Sequence, residues 1–225
     1  MFGSSITTFS QQAAYTDPAQ AYLKVVLDNQ SNPNEYTRVG SFNVKGTQML
    51  YGGRQSGSVF TKTEKGINVN INYNTYNQQL EIFQNSAQPI IKQCNEVDSF
   101  HLVASIKEVS IKLHFYNAAL FDANNCFFLQ EIVVGERFSL YKKYSSDLGY
   151  ISTNYIEPGL RQFDLKYEYY YYDKTTKELR KFKHSINAIT KEFKKYKDVS
   201  SALDPETFNF NPETALINVF SILNS

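Results

Sequence analysis

Ile67-Asn68-Val69-Asn70-Ile71-Asn72-Tyr73-Asn74 alternates apolar residues with asparagines without a break. A period of two is the mark of a β-strand with one buried and one wet face. The residues at 67, 69, 71 and 73 are therefore expected in a core, and the four asparagines in solvent or against a partner strand. Working outward, strands of the same kind are expected at Tyr36 to Phe42, Gly57 to Thr63, Gln79 to Phe83, Pro89 to Gln93, Ser99 to Ala104, Ile111 to Asn117, Cys126 to Val134 and Arg137 to Tyr144. The breaks between them carry the Asn, Asp and Ser that turns prefer, as at Asn74 to Asn77 and Asp122 to Asn125. Gly52-Gly53-Arg54-Gln55-Ser56-Gly57 lacks the Gly-Lys-Ser/Thr ending of a phosphate-binding loop and precedes no helical pattern, so it reads as a connection between strands.

Beyond Tyr144 the chain runs through a long irregular connection to Phe163, then into a strand from Leu165 to Tyr172 with tyrosines at 167, 169, 170, 171 and 172. Asp173 to Lys177 reads as a hairpin turn leading to a strand at Glu178 to Lys183. The period then becomes helical. Ser185 is placed to cap Ile186 to Tyr196, where Ile186, Ile189, Phe193 and Tyr196 share one face, and Asn211-Pro212-Glu213 opens a last helix with an apolar stripe at Leu216, Val219, Phe220 and Leu223. At the other end, Asp17-Pro18 begins a short helix reaching Leu27. The expected fold is α+β and mainly antiparallel β, with roughly ten strands as a meander or sandwich, a short N-terminal helix and two or three C-terminal helices over an edge or open face. A tail at 1–11 precedes a single β-rich domain at 12–225, capped by helices from about residue 185 onward.

Composition narrows the partners. The chain of 225 residues has a formal net charge of +1, too small a basic excess to predict nucleic acid. From Lys174 to Lys197, however, nine Lys or Arg face two Glu. No apolar run is long enough to span a bilayer as a helix. Met1 to Gln11 has the small and apolar character of the end of an export signal, without its basic and long apolar parts, and a disordered tail is the alternative. Export places the protein in the periplasm or outside the cell. Cys94 and Cys126 suit that compartment as a disulfide, and suit equally well a pair of buried free thiols.

No catalytic or cofactor motif is present. The three histidines, His101, His114 and His184, have no metal-ligand spacing and read as core or surface residues. There is no nucleophile elbow, dinucleotide fingerprint or calcium loop, and the carboxylates are scattered singly. The expectation is a protein that is not an enzyme and carries no cofactor or metal. The candidate binding residues are Tyr167, Tyr169, Tyr170 and Tyr172, which could stack on sugar rings or form an interface, with Lys191, Lys194 and Lys195 facing an anionic partner. The competing reading puts Leu165, Tyr167, Tyr169 and Tyr171 in the core, and leaves the lysines as a solvated helix face.

Several short segments resemble a broad family of exported, β-rich proteins of Bacteroidota: Lys45-Gly46-Thr47, Gly57-Ser58-Val59, Ile71-Asn72-Tyr73-Asn74, Phe127 to Gly135, Ser139 to Tyr144, the tyrosine strand, and a C-terminal helix ending near Asn224. Size, compartment and general character are also similar to those of the plug subunit of the type IX secretion translocon. The resemblance implies a non-enzymatic envelope protein that docks on an outer-membrane barrel or lipoprotein, and it carries over no site residues. A glycan-binding module using the tyrosine strand is the alternative.

Overall fold

The computed structural model describes residues 37–39, 42–84, 88–106, 109–150 and 160–225. The expected tail at 1–11 and helix at 17–27 lie outside them. Two compact units are distinguished. In the smaller one, β1 (Thr37–Val39) and β2 (Phe42–Lys45) pair antiparallel with Arg38 opposite Asn43, where one strand from Tyr36 to Phe42 was expected.

The larger unit, Thr47–Gly149 with Gln162–Ser225, holds the meander and the C-terminal helices. Its strands are β3 (Gln55–Phe60), β4 (Lys65–Asn74), β5 (Gln79–Phe83), β6 (Ile90–Gln93), β7 (Ser99–Ile106), β8 (Val109–Asn117), β9 (Phe128–Val133), β10 (Phe138–Tyr150), β11 (Arg161–Asp173) and β12 (Glu178–Phe182). They join in one sheet in the order β11-β10-β9-β8-β7-β3-β4-β5-β6, with β12 on β11, rather than in two stacked sheets. Of the irregular connection expected at Tyr144 to Phe163, both ends are strand, since β10 continues to Tyr150 and β11 begins at Arg161, and residues 151–159 lie outside the described residues.

The sheet curls tightly. Tyr73 on β4 touches Phe128 on β9, with ring centres 5.6 Å apart. In a flat sheet four strand spacings would separate them by about 19 Å. Phe100 and Phe115 fill the space between, stacked at 4.6 Å. Gln78, in the β4–β5 turn, pins the curl: its amide donates to the carbonyls of Thr75 (2.8 Å) and Tyr144 (2.9 Å), and its oxygen accepts from the Tyr73 hydroxyl (2.8 Å) and the Phe128 amide (3.2 Å). The Ser146 amide adds a bond to the Thr75 carbonyl at 3.2 Å. Close strand approach also explains Gly57 on β3, where a Cβ would lie 2.2 Å from the His101 carbonyl oxygen.

The alternation of β4 holds only in part. Ile71 and Tyr73 are buried as expected, but Ile67 is exposed, and Asn72 and Asn74 are buried rather than wet. Asn68 has φ +55° and the β3–β4 register shifts between Gly57 and Ser58, so the strand bulges and its two halves meet different surroundings. Asn74 is consumed locally, its side-chain oxygen accepting from the amides of Tyr76 and Asn77 at 3.0 Å each.

Three helices follow: α1 (Ile186–Phe193), α2 (Pro205–Phe210) and α3 (Pro212–Asn224). Ser185 precedes α1 as expected but makes no side-chain cap bond. Asp204 and Asn211 do cap, accepting from Thr207 (2.8 Å) and Thr214 (3.2 Å), each followed by proline at the first helical position. The helices bury Ile189, Phe193, Phe208, Leu216, Val219, Phe220 and Leu223 against Phe138, Leu140, Tyr169, Tyr171 and Phe182 of the sheet. None of the described helices is long and apolar enough to cross a membrane.

Candidate functional site

The tyrosine strand β11 passes from cover into the open. On its odd-numbered face Tyr171 and Tyr169 are sealed by the helices, whereas Tyr167 and Leu165 are 48% and 51% exposed. The expectation that all four point into the core therefore has the face right and the depth wrong for Leu165 and Tyr167. Tyr169, expected at a binding surface, offers none. Tyr170 and Tyr172 point the other way and are half-buried, with ring centres 5.5 Å from Phe127 and 4.9 Å from Phe121. Only Tyr167, of the four tyrosine candidates, presents an open ring. Phe163, next but one before Leu165 on the same strand, packs on the exposed Tyr76 at 5.6 Å, so the uncovered part of this face is apolar along its length.

Beside Tyr167 the fold builds a charged centre. Lys142 on β10 lies over the rings of Tyr144 (5.1 Å), Tyr167 (4.7 Å) and Tyr169 (5.7 Å), and its ammonium donates to Glu213 Oε2 at 2.7 Å. The Tyr169 hydroxyl donates to the same oxygen at 3.2 Å. Rings around a cation with one carboxylate form a cation cage, and here the chain's own lysine fills it. The Tyr144 hydroxyl donates to Gln130 at 2.8 Å. His184 lies 5.0 Å from both the Tyr169 and Phe208 rings.

Burial dominates the proton affinities here. It raises Tyr169, an effect that the Glu213 charge strengthens, and it lifts Tyr144 to about 12. It also lowers His184, with the Lys142 charge acting in the same direction. These tyrosines are thus neutral at ordinary pH. The arrangement supplies ring faces, hydroxyls and a satisfied ion pair, the chemistry of adhesion. Lys142, Tyr144 and Glu213 were missed from sequence. Lys142 and Tyr144 do share a face of a strand, but Glu213 comes from a helix whose docking the sequence does not specify.

Lys191, Lys194 and Lys195 are exposed. Lys195 pairs with Glu192 at 3.6 Å. On the neighbouring β12, Lys181 pairs with Glu168 and Arg180 with Glu178, so part of the basic excess is neutralised locally. Cys94, in a single helical turn after β6, and Cys126, just before β9, are joined by a disulfide with Cα atoms 5.6 Å apart.

Two other places hold ionisable groups. Glu81 on β5 is buried, accepts from the Asn72 amide at 3.1 Å and has Arg54 near it; burial nevertheless raises its proton affinity above that of an ordinary glutamate. A polar cavity of about 240 Å³ lies between the β3–β4 turn and Lys92, Glu96 and Asp98. No protein-family model, no curated protein and no solved structure matches this chain.

Proposed function

We propose that this is an exported, non-enzymatic protein that works by docking on another protein of the cell envelope, an outer-membrane barrel or a lipoprotein. The observation that supports this reading is the open apolar end of β11. Leu165 and Tyr167 stand uncovered on the face whose next two alternate residues are sealed by helices. A contiguous apolar patch next to a rigid core is what a protein interface uses, and tyrosine is among the residues that dominate such interfaces. The disulfide agrees with an oxidising compartment. The lysines at 191, 194 and 195 would add electrostatic attraction toward an acidic partner surface.

The test is crosslinking and co-purification from the native envelope with the wild-type chain and with Leu165→Asp/Tyr167→Ser. Both positions are exposed, so the variant should fold. A stoichiometric envelope partner that is lost in the variant supports the reading. A partner retained by the variant, or none with either chain, refutes it.

Glycan binding by the same ring is the second reading. It is favoured by the position of Tyr167 beside the Lys142–Glu213 pair, which would offer hydrogen bonds next to a stacking face. Binding to a glycan array that Tyr167→Ala abolishes would select it.

A further inference from the structure

No sequence spacing joins His101 and His114 as metal ligands. The fold joins them across strands. They are direct register partners on β7 and β8, and their ring centres lie 5.5 Å apart. Their neighbours Phe100, Leu102, Leu113 and Phe115 belong to the core, so by strand alternation both imidazoles project from the opposite face. His114 is exposed and His101 half-buried. Val103 and Ile111 on the same two strands are more than a third exposed, so this part of the sheet is open.

Two imidazoles bound to one tetrahedral metal ion, with metal–nitrogen bonds of about 2.0–2.1 Å, have ring centres about 5 Å apart. The observed separation is close to that, and small χ rotations would close the difference without moving the backbone. We propose that His101 and His114 are a two-ligand site for a borderline divalent cation, zinc or copper(II), on the outer face of β7–β8. No cluster of three or more metal-binding side chains occurs among the described residues, so water completes the coordination. Each imidazole gives a ring-nitrogen lone pair, and any proton it carries is released to solvent on binding.

Charged and aromatic side chains surround the pair. Burial lowers the proton affinity of His101, and the charges of Lys112 and His114 lower it further. The ring of Phe60 packs beside His101 at 5.9 Å, and Glu131 on β9 is engaged by Tyr116. Lys112 is the cation that opposes a metal here.

The test uses the full chain with its disulfide intact and any histidine tag removed, titrated calorimetrically with zinc chloride and with copper(II) chloride at pH 7.5. One ion per chain is expected, bound more tightly for copper. His101→Ala and His114→Ala should each weaken binding by at least about tenfold, with unchanged circular dichroism. Absence of saturable binding, or binding that survives both substitutions, overturns the site.

Discussion

Asn224, in the last turn of α3, is hydrogen-bonded to Phe138 of β10 in both directions. Its oxygen accepts from the Phe138 amide at 2.9 Å and from that of Arg137 at 3.1 Å, and its nitrogen donates to the Phe138 carbonyl at 3.0 Å. Asn224 also donates to the Phe220 carbonyl at 2.7 Å, so one amide ties the helix end to the sheet beneath it. Gly135 makes room for it, since a Cβ there would lie 2.1 Å from the Asn224 nitrogen.

Asn224→Ala should destabilise the protein by about 2–3 kcal/mol, because it leaves strand amides and a carbonyl without partners. Gly135→Ala should have a similar effect by pushing the amide out of place. The double variant should cost less than the sum of the two, since both break the same contact. Urea denaturation of the four proteins measures this, and strict additivity would contradict the arrangement.

The Lys142–Glu213 pair should behave as a partly buried ion pair. Lys142 is 14% exposed in its side chain and enclosed by rings. Glu213→Gln should then cost about 1–3 kcal/mol and loosen α3, because a largely desolvated ammonium loses its carboxylate. Lys142→Met should cost less than Glu213→Gln, since it removes the charge altogether. Chemical denaturation of both variants gives the order.

Glu81 introduces a pH dependence of definite sign. Its proton affinity is raised in the folded state by burial, against the opposing effects of Asn72 and Arg54. In the pH range just above the ordinary glutamate value the folded state holds more protons than the unfolded one. The stability contributed by Glu81 is complete below that value and is lost as pH rises through the folded one. Glu81→Gln retains an acceptor for Asn72 and cannot ionise. Thermal melts from pH 4 to 8 should show the wild type losing stability relative to the variant as pH rises.

The disulfide closes a loop with a sequence separation of 32 between Cys94 and Cys126. Cys126→Ser, or reduction, should lower stability by about 3 kcal/mol through the larger entropy of the unfolded chain. Comparing denaturation of the oxidised and reduced protein, with Cys126→Ser insensitive to reductant, provides the check.

By itself the sequence determined the local periods. The alternation through Tyr73, the turn residues at Asn74 and Asp173, the helical stripe from Leu216 to Leu223 and the shared face of Tyr167, Tyr169 and Tyr171 all follow from the spacing of side chains along one strand or helix. Local geometry fixes which residues share a face, but not what covers that face. Only the tertiary structure decided that Tyr169 is sealed while Tyr167 is open, because that depends on where the C-terminal helices end on β11. The same holds for Asn72, wet by its period and buried by its surroundings, and for α2, too short to show a period. Lys142 meets Glu213, and His101 meets His114, across 71 and 13 residues of sequence respectively. Such contacts arise from strand register and sheet curl, which no local pattern encodes.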